Sequence, residues 1–153
     1  MKTVLSTKML SLPQKELFLN SGLGLVEYDA LKIELLDVKI PLDCVNYIFT
    51  SKNAVYAFLK QAMHSDASRF NAFCVGEKTK GLLETNGVKV VEIAQNALDL
   101  AEILVKKHQK ESFLFLCGNK RRDELPKTLT KNNIQYKELM VYRTLFNSKP
   151  FQR

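Results

Sequence analysis

Cysteine is scarce in this chain. Cys44, Cys74 and Cys117 stand 30 and 43 positions apart, odd in number and without a Cys-x-x-Cys pair, which weighs against a disulfide framework and against a cysteine-based metal site. They read as small buried thiols in a reducing, cytoplasmic protein. Histidine is scarcer: His64 and His108 lie in polar surroundings with no ligand spacing, and both are expected at the surface. No apolar run approaches the roughly 18 residues of a membrane span. Lys2 and Lys8 interrupt the start of the chain, so it lacks the continuous apolar core of a secretory signal. The phosphate-loop spacing Gly-x-x-x-x-Gly-Lys-Ser/Thr, the dinucleotide fingerprint Gly-x-Gly-x-x-Gly and the nucleophile elbow Gly-x-Ser-x-Gly are all absent. No carboxylate pair falls at a strand end. Any chemistry must then come from positioning and hydrogen bonding, and no metal site is expected.

What is present is a basic, ordinary globular composition. The 153 residues are 46% hydrophobic, and 23 Lys and Arg against 16 Asp and Glu give a formal charge of +7. That length supports one complete domain and a fragment of another, and that charge favours an anionic partner. The only dense basic cluster is Lys120-Arg121-Arg122.

Periodicity gives the organisation. Thr3-Val4-Leu5 starts a strand, residues 10–20 a helix ending at Ser21-Gly22, and Val26 to Tyr28 a second strand. From Ala30 to Pro41 apolar and charged residues alternate, which predicts an exposed connector strand. Thereafter strands are expected at 45–49, 70–75, 88–93, 113–117 and 136–142, separated by helices at 51–63, 77–84, 98–107 and 123–130. Five strands alternating with four helices predict a doubly wound parallel sheet, a flavodoxin-like lobe, because parallel neighbours need crossover connections. The division expected is a partial first lobe at 1–30, a connector strand at 31–41, a complete α/β lobe at 42–135, and a return connector with the start of the first-lobe remainder at 136–153.

Ligands of such sheets sit beyond the strand carboxyl ends, and three ends are suggestive. Phe49-Thr50-Ser51-Lys52 puts hydroxyls and a lysine at a helix start, which suits an anion, although taken alone a plain N-cap is the plainer reading. Val75-Gly76-Glu77-Lys78-Thr79 and Leu116-Cys117-Gly118-Asn119 repeat the arrangement. Tyr142, in Val141-Tyr142-Arg143-Thr144, closes the series. A tyrosine is protonated at neutral pH and can act as a general acid, while an aromatic lid on the sheet end is the plainer alternative.

In order and spacing, Phe49-Thr50-Ser51-Lys52-Asn53-Ala54-Val55, Val75-Gly76-Glu77-Lys78-Thr79, Phe115 to Asn119 with Arg122-Asp123-Glu124-Leu125-Pro126, and Val141-Tyr142-Arg143-Thr144 resemble the uroporphyrinogen-III synthase family. Thr7-Lys8 resembles the pair that ends the family's first strand. The resemblance implies a cofactor-independent lyase of tetrapyrrole (porphyrin, heme) biosynthesis that closes the anionic linear tetrapyrrole hydroxymethylbilane into uroporphyrinogen III with ring D inverted. It implies two α/β lobes joined by a pair of strands, with Thr7, Lys8, Thr50, Ser51, Lys52, Gly76, Thr79, Gly118 and Asn119 around the substrate and Tyr142 helping the ring A hydroxyl to leave. Family members continue past the position of Arg153, so an incomplete first lobe, impaired activity and self-association through that lobe are expected; nucleic acid and membrane are not expected as partners. A non-catalytic anion- or RNA-binding module built on Lys120-Arg121-Arg122 is the competing reading, although no aromatics interleave that cluster for base stacking.

Overall fold

A computed structural model of the protein describes residues 1–148. In chain order the elements are β1 (Thr3–Ser6), α1 (Leu12–Asn20), β2 (Gly24–Glu27), β3 (Leu31–Leu35), β4 (Asn46–Phe49), α2 (Lys52–Ala62), β5 (Asn71–Val75), α3 (Glu77–Thr85), β6 (Lys89–Ala94), α4 (Ala97–Lys107), β7 (Ser112–Gly118), α5 (Glu124–Lys131) and β8 (Gln135–Phe146). Local chemistry sets many of these boundaries. The Ser51 hydroxyl accepts from the Asn53 N–H at 3.1 Å to start α2, and the Asn96 side chain accepts from the Asp99 N–H at 2.9 Å to start α4. Gly87 after α3 and Asn133 after α5 both take positive φ, the left-handed turn that closes helices.

The chain divides into two compact units, one of Met1–Glu34 with the described residues from Thr144 on, the other Leu35–Arg143. In the larger unit the five parallel strands run β8-β7-β4-β5-β6. This is the doubly wound sheet the sequence predicts. The reversal of direction falls between β4 and β7, one strand later than in the 2-1-3-4-5 order of flavodoxins. Both faces are covered. Tyr47, Phe49, Ala72, Cys74, Leu114 and Leu116 pack with α2 and α3 on one side, while Ile48, Phe73, Phe113, Phe115 and Cys117 pack with α4 and α5 on the other. Strict alternation between two apolar cores explains why these strands read as unbroken apolar runs.

β3 lies beside β8 at the sheet edge. Leu36 N–H donates to Val141 O and Asn147 N–H to Ala30 O, an antiparallel relation. The strand expected to reach Pro41 ends at Leu35. Beyond it side chains replace the ladder: the Gln61 amide donates to Val38 O at 2.6 Å and accepts from Ile40 N–H at 2.9 Å. The Tyr47 hydroxyl donates to Pro41 O at 2.6 Å. The alternation there serves burial of Ile40 on α2, not sheet pairing.

The smaller unit is a different object. β1 and β2 form a two-stranded parallel sheet crossed by α1, and none of its described residues is fully buried. Leu5, Leu12, Leu17 and Leu19 are all more than half exposed. Polar contacts carry what order it has. Glu27 pairs with Lys15 at 2.8 Å and accepts from Leu10 N–H at 2.7 Å, which holds its carboxyl below the usual range.

Candidate functional site

The direction reversal between β4 and β7 opens a crevice, because the crossovers on its two sides leave in opposite directions. A cavity of about 330 Å³ lies there, at the strand carboxyl ends. Val75, Phe115 and Leu125 supply its apolar lining. Its polar wall comes from Thr50 after β4, Gln95 and Asn96 after β6, Lys120, Arg121 and Arg122 after β7, and Tyr142 of β8. A larger cavity of about 630 Å³ opens at the amino ends, along Cys44, Asn46, Lys110 and Gln135. The carboxyl-end cavity is the better candidate despite its size, since basic, amide and hydroxyl groups converge there and α/β sheets present ligands at that end.

The structure brings Thr50 and Tyr142 into this cavity and places the other expected residues elsewhere. Ser51 is engaged as the α2 cap, and Lys52 is exposed on the first turn. Gly76 has φ of +88°, a conformation that favours glycine, and its N–H donates to Ala94 O at 2.9 Å, within the sheet. Thr79 is 5% exposed within α3. Gly118 is buried and Asn119 lies in the exposed turn that follows; neither lines the cavity. Thr7 and Lys8 belong to the smaller unit, where the Ser6 hydroxyl donates to Lys8 O at 2.6 Å in the turn after β1.

Two site features escape the sequence reading. Gln95-Asn96-Ala97 is a strand end followed by a capping residue, the same signal that marks Thr50-Ser51, and it lines the cavity. Arg121 is not a free cation: it donates to Glu138 at 3.0 and 3.1 Å and to Asp123 at 2.6 Å. This fixes the β7–α5 turn from both sides, and the turn carries Lys120 and Arg122 to the cavity.

The reading of His108 as a surface residue needs correction, while His64 is exposed as expected. The His108 side chain is only 15% exposed. Its Nε2 lies 3.0 Å from Glu92 Oε1, its Nδ1 contacts Glu111, and its ring meets Phe73 edge-on with centroids 5.0 Å apart. Burial alone would lower its pKa, but the two carboxylates outweigh that and raise it. The polar run around His108 hid this, since Glu92 comes from another element. Among the described residues no group of three His, Cys, Asp or Glu side chains is placed to hold a metal, and no helix is long and apolar enough to cross a membrane.

Comparison with known proteins bears on the fold and on the strand-end motifs together. The family model described as uroporphyrinogen-III synthase HemD matches residues 23–152. Among solved structures, a uroporphyrinogen-III synthetase from Helicobacter pylori superposes with a TM-score of 0.69 at 20% identity, covering 97% of this chain and 64% of that one. A mutant uroporphyrinogen III synthase from the extremely thermophilic bacterium Thermus thermophilus gives 0.65 at 13% identity, with 96% and 64% covered. The wild-type Thermus protein gives 0.54 at 16% identity, with 96% and 63% covered. At these identities the superpositions speak for the fold, and the chain spans about 64% of the length of the first of them. No curated protein sequence matches the chain.

Proposed function

The chain belongs to the uroporphyrinogen-III synthase family, and from that premise we propose that it acts on hydroxymethylbilane, with the cavity at the β4/β7 reversal as its part of the substrate site. The observation that carries this reading is the convergence in one cavity of Thr50, Tyr142 and the basic turn Lys120-Arg121-Arg122. The substrate bears acetate and propionate groups, and charge-assisted hydrogen bonds to them are the strong kind. In the reaction the ring A hydroxymethyl group loses its hydroxyl as water, taking up one proton, and leaves a cationic azafulvenium. The substituted carbon of ring D attacks it to form a spiro-pyrrolenine, which fragments and recloses the other way round, and a final proton loss restores the pyrrole. Tyr142 supplies the first proton as a general acid. The remaining work is folding a reactive chain into the right shape, which needs positioning more than acid-base groups and suits a site without a histidine or carboxylate pair.

An RNA-binding role is less well supported, because Arg121 is bound to Glu138 and Asp123 and Lys120 and Arg122 line a cavity. Titration of the labelled chain with uroporphyrin, a stable octacarboxylate of the same size class, and separately with an oligouridylate, decides between them. Amide shifts should concentrate at Thr50, Gln95 to Ala97, residues 120–122 and Tyr142 with uroporphyrin. A saturable response confined to the oligouridylate, or one centred on the amino-end cavity, would refute the proposal.

A further inference from the structure

Gly118 ends β7, and the way it meets β8 is unusual. The parallel register pairs Leu116 with Leu139 and Cys117 with Met140, then skips Val141 and pairs Gly118 with Tyr142. This is a β-bulge, the device by which a strand re-aims a side chain. The result is a close approach. A Cβ built on Gly118 would stand 2.4 Å from Tyr142 Cζ, 2.5 Å from Cε2 and 2.9 Å from the hydroxyl oxygen. Real carbon atoms do not approach so closely, so any other residue at 118 would move the ring. Val141, the skipped residue, is itself fully buried in the core that packs against α2 and α3, which anchors the bulge.

We propose that Gly118 is a positioning residue for Tyr142: the absence of its side chain and the bulge at Val141 together seat the phenol over the end of β7, so that its hydroxyl is held at a fixed place in the cavity wall. This rests on the reading of the cavity as the tetrapyrrole site. Gly118 then serves by what it lacks, and its backbone is not the ligand surface, since the residue is buried and absent from the cavity lining while Tyr142 is part of it. A tyrosine free to swing would lose the orientation on which proton donation depends.

The test uses the full chain, isotope-labelled, with the Tyr142 ring signals assigned by Tyr142→Phe. Nuclear Overhauser contacts between the Gly118 Hα protons and the Tyr142 ring are expected in the native protein. Their absence overturns the seat directly, without reference to any variant. In Gly118→Ala the ring contacts should change while the β7–β8 amide contacts stay. On titration with uroporphyrin, the Tyr142 ring response should then fall at least several-fold while Thr50, Gln95 and Asn96 still respond. An undiminished Tyr142 response in Gly118→Ala overturns the positioning role. A different failure is distinguishable: if no cavity residue of the native chain responds to uroporphyrin while the Gly118–Tyr142 contacts are present, the cavity reading falls, and with it the positioning role.

Discussion

Among single residues, Tyr142 and His108 show how differently two polar side chains can be used. Tyr142 lines the cavity at the end of the last parallel strand, and a general acid in the role proposed for it contributes roughly 10²–10⁴-fold to a rate. In a protein completed with the remainder of the first lobe, Tyr142→Phe is therefore expected to lower the rate of isomer III formation by about that factor with an unchanged melting temperature. The check is an assay that generates hydroxymethylbilane in place and separates the uroporphyrinogen isomers. Wild-type turnover by the variant would remove Tyr142 from the mechanism. His108 serves stability instead. It is faced by Glu92 from β6 and Glu111 from the loop before β7, with Lys107 a further 3.9 Å partner of Glu92. Its pKa is raised in the folded state, so its contribution is fully present below the unfolded value of about 6.5 and is lost as pH rises through the folded value. The melting temperature of the native chain minus that of His108→Gln should accordingly shrink as pH rises above about 6.5. A difference that grows with pH would contradict the assignment.

Among the elements, the helix starts carry two functions that a sequence pattern could not separate. Thr50 and Ser51 are neighbours, yet Thr50 faces the cavity and Ser51 is spent on the Asn53 N–H. Ser51→Ala should cost about 1 kcal/mol of stability, the usual worth of such a cap, visible as a lower denaturation midpoint with an unchanged slope. In the completed protein its effect on isomer III formation should be smaller than that of Tyr142→Phe, because the backbone N–H groups of the turn remain. A larger loss would mean that the Ser51 hydroxyl reaches the substrate after all. The β7–α5 turn reads in sequence as a basic cluster. Its behaviour is set by Glu138 on β8, and no local pattern signals that pairing with Arg121.

Across the whole molecule, the two units differ in how much each has to hold it together. The Leu35–Arg143 unit closes two cores around a five-stranded sheet. Besides most of β3 and the end of β8, the smaller unit has a two-stranded sheet, one nine-residue helix and no fully buried residue among those described, and a sheet of two strands is below what independent stability needs. Amide exchange should be fast across Thr3–Glu27 and slow across Asn46–Val75 and Ser112–Gly118. Protection of Thr3–Glu27 that rises with protein concentration would point to pairing with a second chain. These 153 residues alone should bind tetrapyrrole weakly and yield mainly the uncatalysed isomer I. Substantial isomer III from a monomeric preparation would show that these residues suffice.

Features that depend on neighbours along the chain were legible in the residues without any structure. Unbroken apolar runs marked the buried strands, the hydroxyl at Ser51 marked a helix start, and the order of strand-end motifs pointed to the family that the match over residues 23–152 supports. Other features came only with the folded chain. The strand order, the bulge that lays Tyr142 on Gly118, the capture of Arg121 by Glu138 and the enclosure of His108 by Glu92 and Glu111 all join residues from different elements. Alternation and capping are fixed by local backbone geometry, whereas crossovers and through-space pairs are fixed by which faces come to share a core, and that is settled only when the sheet has formed.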